Sequence, residues 1–319
     1  MPTLFGGTLV SVRGFLVLDT LACVRQLIAT GSRSWENLMD RTLAIAGAEV
    51  PRILYGTAWK EDATQVLTER ALALGFRGID TANQRRHYDE AAVGRAISAA
   101  IAGGLLVREE LFVQTKYTFQ RGQDHRLPYN PAVSISAQVE ESFASSLQHL
   151  NVEQIDSYVL HGPSGPVGIN QDDWAAWRAM EDIYESGRTR LLGISNVSPH
   201  QLKSLCRDAK VLPHFVQNRC YAIQGWDRDV RDFCNGNGLV YQGFSLLTAN
   251  STAMASRKLA EIAERHTCSV AQVVFRFAID VGMIPLTGTT TEQHMRSDLE
   301  IFDIRLNPNE IECISHLMG

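Results

Sequence analysis

From Val50 to the C-terminus, short runs of β-branched and aromatic residues alternate with segments whose apolar positions recur at helical spacing. Parallel strands joined by amphipathic helices produce this alternation. Eight runs read as strands: Ile53 to Thr57, Arg77 to Ile79, Leu111 to Thr115, Ile155 to Leu160, Arg190 to Ile194, Phe215 to Asn218, Leu239 to Gly243 and Met283 to Leu286. Between them, Leu67, Ala71 and Leu74, or Ile135, Val139, Phe143 and Leu147, each define one apolar helix face. Ser198 followed by Pro199 predicts a capped helix start after the fifth run. Eight such units in roughly 270 residues match a closed barrel, so the expected fold is α/β, a single (β/α)8 TIM barrel over residues 45–319. An open doubly wound sheet shares this periodicity and is the second reading.

Residues 1–44 lack the pattern and read as an N-terminal extension, either disordered or targeting. Their apolar run from Val10 to Ala29 is interrupted by Arg13, Asp19 and Arg25, which spoils both a membrane span and a secretory core. Arg13, Arg25 and Arg33, with few acids, fit an organelle-targeting leader, and a dispensable extension fits equally well.

With 45% hydrophobic and 20% charged residues in 319, the chain can bury a large core. A formal charge of -5 leaves no cationic excess for nucleic acid or an anionic membrane, so neither is an expected partner and small-molecule chemistry is favoured. A monomer is the favoured state. The six cysteines include no CxxC pair and no histidine at metal-ligand spacing. Neither a disulfide framework nor a metal site is expected, and the compartment reads as reducing and cytoplasmic. No GxGxxG or GxxxxGK[ST] occurs. Gly162, Gly165 and Gly168 imitate such a loop, but Pro163 and Pro166 oppose the helix it needs.

In a closed barrel, chemistry gathers at the C-terminal ends of the strands. Asp80, Lys116 and His161 follow the second, third and fourth runs, and Tyr88 lies in the loop after the second. Singly they read as a helix cap, a surface ammonium, a core histidine and a packing residue. Together they suit carbonyl reduction. Tyr88 would be the proton donor, Lys116 would lower its pKa from the usual ~10, Asp80 would anchor the ammonium, and His161 would orient the carbonyl.

At these residues the chain resembles the aldo-keto reductase superfamily. The resemblance rests on GTAW (Gly56 to Trp59), GFRGIDTA (Gly75 to Ala82), ELFVQTK (Glu110 to Lys116), DSYVLHGP (Asp156 to Pro163), GISNVS (Gly193 to Ser198), VQNRCY (Val216 to Tyr221) and IPLTGTT (Ile284 to Thr290), in this order from Val50 onward. It implies hydride transfer from NADPH, with NADH left open, to a small aldehyde or ketone. It further implies a cofactor held by Gly56, Thr57, Ser195, Asn196, Gln217, Phe244, Ser245, Leu247, Gly288, Thr289, Thr290, His294 and Asp298. Within that set, Ser195, Asn196 and Gln217 would bind the carboxamide and Phe244 would stack on the nicotinamide. Trp59, Phe119 and Trp226 are the expected aromatic walls of an open substrate pocket, since the chain stops at Gly319 soon after its last helix.

Two departures qualify these expectations. The family's DTAxxYGNE becomes DTANQRRHYDE. Counting from Asp80 puts Arg85 at the tyrosine's place; counting back from Glu90 puts His87 there. Tyr88 is preferred as the only phenol in the loop. At the adenosine phosphate, His294 stands where arginine is common, with Arg296 one turn away. Two other functions fit the barrel pattern: a non-catalytic NADPH-binding sensor or regulatory subunit, and a Schiff-base lyase using Lys116 as nucleophile.

Overall fold

The computed structural model describes residues 41–318. All eight expected strands form, each within two residues of its expected limits: β3 (Leu54–Gly56), β4 (Gly78–Asp80), β5 (Phe112–Tyr117), β6 (Ile155–Leu160), β7 (Thr189–Ser195), β8 (Phe215–Arg219), β9 (Val240–Phe244) and β10 (Met283–Thr287). They close in the order β10-β3-β4-β5-β6-β7-β8-β9, which excludes the open sheet. All eight pairings are parallel. Register sets Asp80 beside Gln114, Ser195 beside Gln217, and Arg219 beside Phe244, so the polar strand ends converge on one mouth. Ser198 caps its helix as expected, accepting from the Gln201 amide with Pro199 in the first turn.

The other end of the barrel carries a hairpin that the sequence pattern did not reveal. β1 (Thr42–Ile45) and β2 (Ala48–Pro51) pair antiparallel. Their two-residue turn, Ala46 and Gly47, has φ of 46° and 79°, the positive values that match strand twist in a tight hairpin. Ala48 and Val50 are buried with Leu54, Phe112, Leu191, Phe215, Ile284 and Leu286, and Leu43 and Ile45 pack against this cluster. The hairpin therefore stoppers the floor. It begins inside the segment 1–44 that the sequence set apart, because four residues are too few to register a period. The remaining expectations about that segment, including the Val10 to Ala29 run, lie outside the described residues.

Removing residues 1–40 is expected to preserve cooperative unfolding. Removing 1–47 strips Leu43 and Ile45 from the floor and should lower the melting temperature by about 5 °C or more. Calorimetry of the two truncations checks this, and identical melting temperatures would rule out a structural role for the hairpin.

The helices Glu90–Ala102 and Ile135–Leu150 approach closely at Gly94, where a Cβ would collide with the His149 carbonyl oxygen. That contact brings His149 Nδ1 within 2.9 Å of the buried Glu90 carboxylate. Among the described residues, no helix is long and apolar enough to cross a membrane. Cys206, Cys220, Cys234, Cys268 and Cys313 are free thiols.

Candidate active site

Strand ends and loops enclose a cavity of about 790 Å³ at the barrel mouth. At its base lies Asp80, at the end of β4. Its carboxylate oxygens accept from Lys116 Nζ at 2.8 and 2.7 Å, and the ammonium also donates to the Thr81 carbonyl at 2.8 Å. Lys116 is 0% exposed. Burial pulls its pKa down, and the Asp80 charge opposes that pull. Gln114 and Gln217 add amide donors to Asp80 Oδ1 at 2.7 and 2.9 Å. Both also donate to Gln242 Oε1, at 2.8 and 2.9 Å, forming a polar layer across the barrel interior.

Tyr88 lines the cavity above this pair, its ring centroid 5.3 Å from Lys116 Nζ and 6.0 Å from the His161 ring. No group among the described residues hydrogen-bonds its hydroxyl. The expected lowering of its pKa by Lys116 is not met. Burial first, and the Asp80 charge second, push the phenol well above its usual value. The Lys116 ammonium is engaged by Asp80 and the Thr81 carbonyl and does not offset these two effects.

His161 follows β6 and lines the same cavity. Its Nδ1 lies 2.7 Å from the Thr118 hydroxyl. Burial, then Lys116 and His87, depress its pKa to about 3, so the imidazole is neutral at ordinary pH. When Thr118 donates to Nδ1, the proton resides on Nε2, which can then donate to a substrate oxygen. His87, the rival proton donor, also lines the cavity but stacks on Trp59 with ring centroids 3.7 Å apart.

Gly56, Ser195, Asn196, Gln217, Phe244, Ser245, Leu247, Gly288, Thr289, His294 and Asp298 line the cavity, as does Trp59, which is 68% exposed. Asn196 donates through Nδ2 to the His161 carbonyl at 2.7 Å and so ties two mouth loops together. Asp298 accepts from the Thr287 hydroxyl at 2.6 Å, and burial raises its pKa to about 6.

Several expected residues lie elsewhere. Thr57 is buried and donates its hydroxyl to the Asp80 carbonyl at 3.0 Å, while Thr290 does not reach the cavity. Trp226 is 0% exposed, with Nε1 donating to Ile314 O at 2.8 Å and its ring against Phe277; it is core. Phe119 packs edge-on against Tyr117 and lines a neighbouring cavity instead. Arg296 pairs with Glu292 and is not a cavity residue. Polar aromatic and cationic side chains do not reveal from spacing alone whether they turn inward or along the surface.

The sequence reading also missed residues. Gln114 sits two positions before Lys116, and Gln242 two before Phe244, so strand alternation places each on the inward face; that period was the available signal. Arg219 ends β8 with its guanidinium 5.6 Å from the Phe244 ring centre. Among the described residues it is the one Lys or Arg that lines this cavity.

The Aldo/keto reductase family model matches residues 52–318. A glyoxal reductase of Bacillus subtilis is 27% identical over 285 residues, covering 88% of this chain and 94% of that protein. A D-galacturonate reductase of Fragaria ananassa is 30% identical over 284 residues, covering 82% and 83%. Among solved structures, a Bombyx mori aldo-keto reductase in complex with NADP aligns with a TM-score of 0.71 at 25% identity, covering 86% of this chain and 91% of that one. With a family model spanning all eight barrel strands and a buried Asp80–Lys116 pair beneath Tyr88 and His161, the chain belongs to the aldo/keto reductase family.

Proposed function

We propose that this protein reduces a small aldehyde or ketone to an alcohol, using NADPH as hydride donor. The carrying observation is the Tyr88 hydroxyl, free of protein partners, in a cavity it shares with a neutral His161 above the Asp80–Lys116 pair. The cavity fits a dinucleotide in its chemistry. The half-buried Phe244 ring offers a stacking face, and Ser195, Asn196 and Gln217 offer amide and hydroxyl groups near it. Arg219 offers permanent positive charge. Gly288, Thr289 and His294 line the same space at the end of β10 and the helix after it. The Bombyx mori relative's complex with NADP supports this choice of cofactor.

NADPH, when bound, supplies the hydride. The protein's part is to hold and move a proton. His161 Nε2–H binds the carbonyl oxygen and polarises it. Tyr88 protonates that oxygen as negative charge develops on it. A phenol that holds its proton firmly gives it up only to a strong base, and an alkoxide is one. Lys116 and Asp80 act beneath the ring, fixing its position. Lys116 as a Schiff-base nucleophile is disfavoured, because its ammonium is fully buried and engaged with three oxygens. A sensor role leaves the assembled Tyr88–His161 pair without a purpose. NADPH consumption across short-chain, aromatic and dicarbonyl aldehydes should be measurable; none with any aldehyde or ketone would overturn the proposal.

Cofactor choice should respond to pH through Asp298. As its pKa is raised to about 6, it is anionic above that value and neutral below. A carboxylate at this end of the cavity disfavours a 2'-phosphate, so NADPH should gain on NADH as pH falls from 7.5 to 5.5. The phosphate itself gains a proton near pH ~6, and Asp298→Asn isolates the side chain's share by flattening the change. Fluorescence titration of both cofactors gives the ratio; the same pH response in wild type and variant would refute the assignment.

A further inference from the structure

A second cavity, of about 510 Å³, opens between the loop after β5 and the loop after β6. It meets the first at Gln84, His161 and Asn196, which line both. Its walls differ from those of the main cavity. No Asp or Glu lines it, whereas the main cavity holds Asp80 and Asp298. It does hold Arg121, which is exposed and donates to the Pro163 carbonyl across the gap between the two loops. No carboxylate among the described residues pairs with that guanidinium, so most of its donors are free for a ligand. Gly162 and Gly165 line the opposite side without side chains, and Gln201 Nε2 holds that loop open by donating to Gly165 O and Gly168 O at 3.1 and 2.9 Å. Gln84 is more than nine-tenths buried at the junction. Its Nε2 donates to Gly122 O at 2.7 Å, while its Oε1 has no protein partner.

These observations concern the part of the substrate that does not react. A compartment that begins at the carbonyl-binding His161, excludes carboxylates from its walls and ends on an unpaired guanidinium selects negative charge. We propose that the second cavity is a substrate subsite for an anionic group, so that the preferred substrates are aldehydes or ketones carrying a carboxylate or phosphate at their far end. Arg121 is the counter-ion. Gln84 marks the passage from the reacting carbonyl to the charged arm. This inference rests on the carbonyl-reductase reading.

The test compares matched substrates on the full-length, NADPH-loaded protein: ω-oxo carboxylates of increasing length against neutral aldehydes of equal length, and glyceraldehyde 3-phosphate against glyceraldehyde. The acidic member of each optimal pair should have the higher kcat/KM. Arg121→Gln should cut that preference by about tenfold, through KM, and Arg121→Lys should restore part of it. A preference for the carboxylate series alone, or the phosphate alone, identifies the source of the charge. An acid-to-neutral ratio that is the same in wild type and Arg121→Gln overturns the proposal. Should neither series be reduced, the reductase reading fails separately. Calorimetry with dicarboxylates and their neutral diamides then decides the subsite: binding lost in Arg121→Gln supports it, and no difference between them refutes it.

Discussion

Tyr88→Phe is expected to lower turnover by about 10²-fold or more, the usual scale for losing a positioned general acid, while the NADPH dissociation constant stays nearly the same. The lost hydroxyl has no protein partner, so the ring can keep its place 6.0 Å from His161 and 5.3 Å from Lys116 Nζ. Only proton delivery disappears. The discriminating comparison is His87→Ala, since His87 shares the cavity and occupies the position obtained by counting back from Glu90. Its imidazole packs on Trp59, and burial followed by the Arg86 charge depresses its pKa, which makes it a poor donor at neutral pH. Single-turnover rates of both variants separate the two readings: full activity in Tyr88→Phe with loss in His87→Ala would transfer the role to the histidine.

Lys116→Met is expected to damage stability as well as turnover. Three oxygens lose the ammonium at once, and the Asp80 carboxylate remains in a buried site with only the amides of Gln114 and Gln217. Removing one partner of a buried ion pair costs about 3–5 kcal/mol. Most of that is the stranded charge, so adding Asp80→Asn to Lys116→Met should recover part of the loss rather than deepen it. Urea denaturation of the two single variants and the double measures the coupling. Losses that simply add would mean that the pair is not a unit.

The barrel was legible because each strand is a short apolar run and the helix faces between them keep their spacing; the eight runs from Ile53 to Leu286 all became strands. Asp80, Lys116 and His161 were legible for the same reason, since a polar residue closing a buried strand has one direction in which to point. Tyr88 was harder, because a lengthened loop has no period and only the fold shows the phenol over Lys116 with His87 turned to Trp59. Trp226 misled because aromatic size suits a pocket wall and a core equally. The direction of the Tyr88 pKa was misread for another reason. Chemistry suggested a neighbouring cation, but whether that cation acts on the phenol depends on a carboxylate 2.7 Å away from it.

The closed lower end of the barrel has a bearing on the order of events during turnover. Leu43, Ile45 and Val50 cover that end, and the layer of Gln114, Gln217 and Gln242 beneath Asp80 closes the floor of the cavity, so traffic reaches the site from the mouth side alone. The groups proposed to grip the nicotinamide, Ser195 and Gln217, are almost wholly buried at the inner end of that passage. The carbonyl compound must settle outside them, beside Tyr88 and His161. A dead-end chamber works like a stack: the molecule seated deepest is first in and last out. The dinucleotide would thus precede the carbonyl compound, and the alcohol would depart before the spent dinucleotide.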